Sequence, residues 1–223
     1  SDVPRMMSQL PTEQQNKQVQ SHHDDEYWCY PMDKQYNVAV IINVEHFQKE
    51  CGKESKFGNR EGTAYDVTQL EKLWTDLGFT VKVPEDADFK GQSILAFLQK
   101  VAKEVNEKQN SSCFVCCIMT HGCMGKIYGS DVDSVDIQAI LNLFKEANCP
   151  ALAGKPKLFF IQACRIIAEA LTASSAAAVD ASENSKFVEQ ANPHENDFLI
   201  GYSSLPGHSS YRYGSSKRGT WYM

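Results

Sequence analysis

The chain has 223 residues, 42% of them hydrophobic, which is enough for one sizeable core with additional segments. A formal net charge of −6 supplies no basic field for nucleic acid or an anionic membrane. No apolar run approaches the roughly 20 residues of a membrane span, and no basic start followed by an apolar stretch marks a signal peptide.

Residues 1–26 are polar and rich in Gln and Asn, without apolar periodicity, and read as a flexible leader. His22-His23-Asp24-Asp25 within it reads as a solvated run lacking the folded frame that a metal site needs. The first buried strand is expected at "VAVIINV", Val38 to Val44. A Gly-containing loop follows, and then "YDVTQLEKLWTDLG" places Val67, Leu70, Leu73, Trp74 and Leu77 on one helical face, with Gly78 as the stop. "FTVKV" alternates as a short strand. Ile94, Leu95, Leu98, Val101, Ala102 and Val105 restore the helical period. "CFVCCIMT" reads as a strand. Ile137, Ile140, Leu141 and Phe144 mark a third helix, and "KLFFIQA" a further strand. A stretch rich in Ala, Ser, Asn and Glu reads as a linker over 168–196. "DFLIGYSS" is the last strand, ahead of a Gly/Ser/Tyr-rich end.

Alternating strands and helices predict a mostly parallel sheet with helices on both faces. Continuous apolar strands fit burial from two sides. Eight cysteines are present, but Cys113, Cys116 and Cys117 lie inside one apolar run, where free thiols behave as small hydrophobes. That usage predicts a reducing, cytoplasmic setting. Cys113 and Cys116 spell C-x-x-C, yet on a strand they face opposite sides.

Sites in open α/β sheets form beyond the carboxyl ends of strands. Two successive strands here end at His121-Gly122 and at Cys164. A thiolate is a strong nucleophile, and an imidazole accepts or supplies its proton. Gly122 allows close backbone approach, and its N–H, with that of Cys164, suits an oxyanion.

From Tyr27 onward, several ordered motifs resemble the caspases. Gln162-Ala163-Cys164-Arg165 is similar to the nucleophile signature of that family, with a histidine upstream. "THGCMGKIYGSD" resembles its histidine motif, and "YPMDKQYNVAVIIN" the start of its domain. "GNREGTAYDVTQLEKLWTDLGFTV" resembles the segment with the first substrate-binding arginine, and "DFLIGYSSLPGHSSYRYGSSKRGTWYM" the opening of the small subunit. The resemblance implies an α/β fold of three layers and a cysteine endopeptidase that cuts after aspartate, needs no cofactor or metal, and acts in programmed cell death. It implies a pocket for the substrate aspartate made by Arg60, Gln162 and Arg212, whose guanidinium and amide donors suit a carboxylate. Ser210 and Arg212 match positions that pair with extended substrate backbone. Tyr202 and Tyr211 match aromatic walls for the residue before aspartate; Tyr211 replaces a more usual tryptophan. It further implies a zymogen with a large part over 27–167 and a small part from 197–223, cut at Asp180 in the linker. A homodimer is expected when the C-terminal part is present, since the resemblance implies further helices and a strand beyond Met223.

The sequence departs from the family at two informative positions. Ile166 follows Arg165 where the family has glycine; if that position needs positive φ, the isoleucine costs about 1–2 kcal/mol. Cys123 follows the His-Gly pair; it reads either as an inert thiol or as one able to form a reversible disulfide near Cys164, a common redox arrangement. The competing reading is a catalytically impaired homologue acting as a regulatory binding partner, for which intact His121, Cys164, Arg60, Gln162 and Arg212 have no evident use. A peptidase directed at basic residues is disfavoured, because Arg60 and Arg212 repel such side chains.

Overall fold

A computed structural model describes residues 29–48, 57–84, 89–166, 197–211, 219–220 and 222–223. The expected leader, the expected linker with Asp180, and Arg212 lie outside the described residues. In chain order the elements are strand β1 (Val38–Asn43), helix α1 (Ala64–Asp76), β2 (Thr80–Lys82), α2 (Gly91–Lys108), β3 (Phe114–Met119), β4 (Gly122–Cys123), β5 (Lys126–Tyr128), β6 (Ser134–Asp136), α3 (Ile137–Asn142), a 3₁₀ turn (Pro150–Leu152), β7 (Lys157–Gln162) and β8 (Phe198–Tyr202).

Five strands form one sheet in the order β2-β1-β3-β7-β8, and every neighbouring pair is parallel. Alternate side chains go to opposite faces, and both faces are covered. Ala39, Ile41, Val115, Cys117 and Met119 meet Leu70 of α1 and Phe79 on one side. Val40, Ile42, Phe114, Cys116, Ile118 and Phe159 meet Ile94, Leu98 and Val101 of α2 and Ile140 of α3 on the other. Phe144, just past α3, stacks on Phe114 with ring centroids 4.1 Å apart. The three expected layers are therefore present, and Cys113 and Cys116 do face opposite sides.

The apolar face expected for α1 is wider than its buried stripe. Val67, Leu70 and Trp74 pack on the sheet, whereas Leu73 and Leu77 are exposed. The buried face runs through residues three and four apart, Val67-Leu70-Trp74, and Leu73 and Leu77 fall to its side. The helix stops as expected: Gly78 takes φ +81°, and Gly78 and Phe79 donate N–H to Thr75 and Trp74 at 2.9 Å each.

The small antiparallel sheet β4-β5-β6 was not expected from the sequence. Strands of two or three residues are too short to show alternation. It sits between the His121 segment and α3, and its β5–β6 turn also caps the start of α2. Asp131 Oδ1 accepts the N–H of Gly91, the first residue of α2, at 3.0 Å. A cap donated from 40 residues away replaces the local one that Lys90 cannot supply.

Order β2-β1-β3 means that the chain leaves β1 to one side and returns on the other. That reversal makes a topological switch point, and the carboxyl ends of β1, β3 and β7 open onto its rim.

Candidate active site

The register of the β3–β7 pair decides which residues meet at this rim. Met119 is paired with Gln162, and Thr120 N–H donates to the Gln162 carbonyl at 3.1 Å. Two residues further along each chain stand His121 and Cys164. Neighbouring strands run about 4.8 Å apart, so the register delivers imidazole and thiol side by side. The two segments stay in contact beyond them: a Cβ on Gly122 would lie 2.9 Å from the Cys164 carbonyl and 2.9 Å from Ala163 Cβ. Glycine is required there by close approach.

The ring of His121 is fixed from three directions. It stacks on Phe57 at 4.8 Å with an 18° interplanar angle, and tilts against Phe47 at 4.8 Å. Its Nε2 is 2.9 Å from the Gly58 carbonyl. A carbonyl only accepts, so Nε2 carries the hydrogen and Nδ1 holds the lone pair of the neutral ring. Gly58 was not legible in the sequence, because the group it contributes is backbone.

Gly122 is turned so that its N–H is available. Tyr128 N–H donates to the His121 carbonyl at 2.9 Å, which makes His121–Tyr128 a hydrogen-bonded pair of the antiparallel ladder. Gly122 and Ile127 are the next pair, and by alternation they do not exchange hydrogen bonds. The Gly122 N–H therefore points away from β5.

Arg60 is 1% exposed, an unusual state for a guanidinium. Its Nη1 donates to Asn43 Oδ1 at 3.1 Å and to the Val44 carbonyl at 2.9 Å, both at the end of β1. Its Nη2 donates to Gln162 Oε1 at the end of β7. Gln162 Nε2 in turn donates to Ser210 Oγ at 2.9 Å, and Ser210 N–H reaches Cys164 Sγ at 3.4 Å. Ser203 Oγ joins the chain at 2.6 Å from Ser210 Oγ and accepts the Ala163 N–H at 3.2 Å. One hydrogen-bond path thus runs from the buried arginine to the candidate nucleophile. Ser203 and Asn43, which complete it, were missed; a lone Ser or Asn at a strand end carries no distinguishing pattern.

The segment after Cys164 is held on both sides. Arg165 N–H donates to the His208 carbonyl at 2.9 Å, Gly207 N–H to the Arg165 carbonyl at 2.8 Å, and Met124 N–H to the Ile166 carbonyl at 2.9 Å. Arg165 lies over the ring of Tyr202, its Cζ 3.9 Å from the centroid. Tyr211 is exposed. One expectation is corrected. Among the described non-glycine residues only Gln109, Val132 and Asp197 have positive φ, so Ile166 sits in ordinary backbone and the anticipated strain is absent. Cys123 is buried and accepts the Tyr128 hydroxyl at 3.3 Å, its sulfur packed in the core on the α2 side, whereas Cys164 Sγ is engaged by Ser210.

Among the described residues no group of three or more His, Cys, Asp and Glu side chains is placed to hold a metal ion. The Caspase domain family matches residues 36–223. This chain belongs to the caspase family. It is 35% identical to caspase-3 of Mus musculus over 195 residues, covering 87% of this chain and 65% of that protein. To caspase-7 of Gallus gallus it is 34% identical, covering 94% of this chain and 67% of the relative. Against caspase-8 of Rattus norvegicus it is 32% identical over 96% of this chain, which spans 44% of the relative. The chain thus spans just under two thirds of the mouse caspase-3 that it matches. Among solved structures, caspase-1 from Spodoptera frugiperda superposes with a TM-score of 0.66 at 32% identity, over 86% of this chain and 69% of that one. The α/β architecture with a mostly parallel central sheet is that of this caspase.

Proposed function

We propose that this caspase is a cysteine endopeptidase that cleaves proteins after aspartate. The observation that carries the reading is the β3–β7 register, which sets His121 beside Cys164 while Arg60 and Gln162 meet at the same rim. Cys164 Sγ attacks the main-chain carbonyl of the substrate aspartate itself, the acyl side of the bond to be cut. The thiol proton passes to His121 Nδ1, whose ring is held by the Gly58 carbonyl, and then to the leaving amine. Gly122 and Cys164 N–H groups receive the oxyanion, and water releases the acyl-enzyme. The aspartate carboxylate is read by Arg60, Gln162 and Arg212. It accepts from Gln162 Nε2, the amide nitrogen that donates to Ser210 Oγ at 2.9 Å. Ser210 and Arg212 pair with substrate backbone, and Tyr202 and Tyr211 flank the residue before aspartate.

Ordinary backbone at Ile166 supports catalysis over a purely regulatory binding role. The test is turnover of a short aspartyl-amide reporter by the full-length protein, with Cys164→Ala as control. Hydrolysis that the control lacks is expected; a parent protein as inert as the control sinks the proposal.

The same reading makes the chain a zymogen acting in the cytoplasm in programmed cell death, with protein substrates and a homodimeric active form. Residues 27–167 form the large part, 168–196 the inter-subunit linker and 197–223 the beginning of the small part. Cleavage after Asp180, an aspartate followed by alanine in "AAAVDASENS", converts the precursor into the two-chain form. Mass spectrometry after treatment with an active caspase is expected to give fragments ending at Asp180, lost in Asp180→Ala. A chain cut only within the leader argues against this activation site.

A further inference from the structure

Asp66, in the first turn of α1, is a buried carboxylate to which the proposed reaction assigns no role. Only 3% of it is exposed. Its two oxygens accept the Thr220 N–H at 2.9 and 3.0 Å, and Oδ1 also accepts the Thr220 hydroxyl at 3.4 Å. Gly219 is built for this clasp: φ is +63°, and a Cβ there would overlap Asp66 Oδ1. Thr220 Oγ1 continues the attachment by accepting Met223 N–H at 3.1 Å, and Met223 packs on the α1 side of the sheet. Between them, the Tyr222 hydroxyl fills the space a Cβ on Gly201 of β8 would need. Residues 219 and 220 are thus fastened at α1, and residue 222 is seated at β8.

The clasp is adjacent to the arginine pocket. Arg60 lies just before α1, and its carbonyl accepts Thr63 Oγ1 at 3.0 Å where the helix begins. Burial holds the Asp66 carboxyl above its ordinary range, against the smaller opposing pull of the Thr220 donors and the positive charge of Arg60. We propose that Asp66 is a positioning residue for aspartate recognition: it ties Gly219–Thr220 to the first turn of α1 and so holds in place the helix start from which Arg60 reaches the pocket. This rests on the pocket assignment given above. A carboxylate used only for stability would be dispensable to substrate selection.

The experiment compares Asp66→Ala, Asp66→Asn and Gly219→Ala with the parent in the full-length protein. Steady-state kinetics on an aspartyl-amide reporter are measured beside alkylation of Cys164 by iodoacetamide, a neutral electrophile that needs no pocket, and beside hydrogen exchange of the Thr220 amide. Gly219→Ala keeps every charge but crowds Asp66, so it separates geometry from electrostatics. Asp66→Ala and Gly219→Ala are expected to raise KM by about tenfold to a hundredfold with a smaller change in kcat, because a small displacement of binding groups has that effect. Alkylation stays within about twofold of the parent, Thr220 exchange quickens, and Asp66→Asn, which keeps an acceptor oxygen, falls between. Unchanged KM in both variants, or a loss of turnover matched by an equal loss of alkylation, overturns the positioning role. A parent that hydrolyses no aspartyl reporter would defeat the proposed function and, with it, the role in recognition; the clasp itself is then decided by Thr220 exchange, which must be slow in the parent and fast in Asp66→Ala.

Discussion

Arg60 is a guanidinium almost wholly removed from water, and its charge is supported by oriented dipoles at two strand ends. Arg60→Ala leaves Asn43, the Val44 carbonyl and Gln162 short of a donor and removes the charge that the proposed pocket offers to a substrate carboxylate. The expected loss in kcat/KM towards an aspartyl reporter is about 2–5 kcal/mol in transition-state free energy. Arg60→Lys should not rescue it, because an ammonium cannot reproduce the planar fork. Near-parental kcat/KM in either variant would show that the carboxylate binds elsewhere. At Ile166 the outcome is reversed from what the motif suggests. With φ in the ordinary range there is no strain to relieve, so Ile166→Gly should alkylate at Cys164 within about twofold of the parent rate and be no more stable. A gain of tenfold in alkylation would show that the side chain itself obstructs the thiol.

At the scale of elements, α2 depends on a turn that the chain reaches much later. Asp131 Oδ1 holds both the Gly91 N–H at 3.0 Å and the Asp133 N–H at 3.2 Å, and Gly129 packs so closely on Gly91 that a Cβ there would overlap its backbone. Asp131→Ala should cost about 1 kcal/mol, as other lost caps do, and lower Tm by about 2–4 °C for a domain of this size. Gly129→Ala should cost more, since backbone must move. Thermal melting of the two variants checks the order. The long elements were legible because their apolar period persists: six residues of β3 and the face of α2 from Ile94 to Val105 leave little choice. The sheet β4-β5-β6 was not legible, nor was the exposure of Leu73 and Leu77, since both depend on what packs nearby rather than on local pattern. Of the candidate site, the residues that the structure brings to one rim, His121, Cys164, Arg60 and Gln162, were singled out by motif and strand end. Gly58 and Asp66 were not, because one acts through its carbonyl and the other looks like an ordinary acidic residue in the first turn of a helix.

For the molecule as a whole, the end of the sheet opposite the site carries a charged network with a definite pH signature. Tyr36, just before β1, donates its hydroxyl to Glu104 of α2, which pairs with Lys82 of β2 at 2.9 Å and with Lys108 at 3.6 Å. The Tyr36 hydrogen bond, followed by that from Lys82, holds the Glu104 carboxyl below its ordinary range. Burial, reinforced by Glu104, pushes the Tyr36 phenol up to about 12. A lowered carboxylate stabilises the fold above its unfolded value and loses that contribution as pH falls through its folded value. A raised phenol contributes below its unfolded value and loses it as pH rises through its folded value. Stability should therefore decline in acid, beginning near about pH 5. Glu104→Gln should flatten that acid limb by on the order of 1 kcal/mol. Urea midpoints across acid pH measure it, and an acid limb identical in the variant would show that other carboxylates set it.

The strand chemistry also equips the molecule with internal reporters. Cys113, Cys116, Cys117, Cys123 and Cys149 are free and buried, while Cys29 is exposed and Cys164 half-buried. Burial pushes Cys113 up to about 11 and Cys117 up to about 12, and Cys116 well above its ordinary value. Thiolate, not thiol, is the reactive form, so these buried cysteines, on β3 or just before it, meet an electrophile only when the sheet comes apart. Their labelling rates, read one peptide at a time, clock the opening of individual strands in the intact protein. Cys116 and Cys117, adjacent in sequence and lodged against different helices, time the shedding of the two outer layers separately.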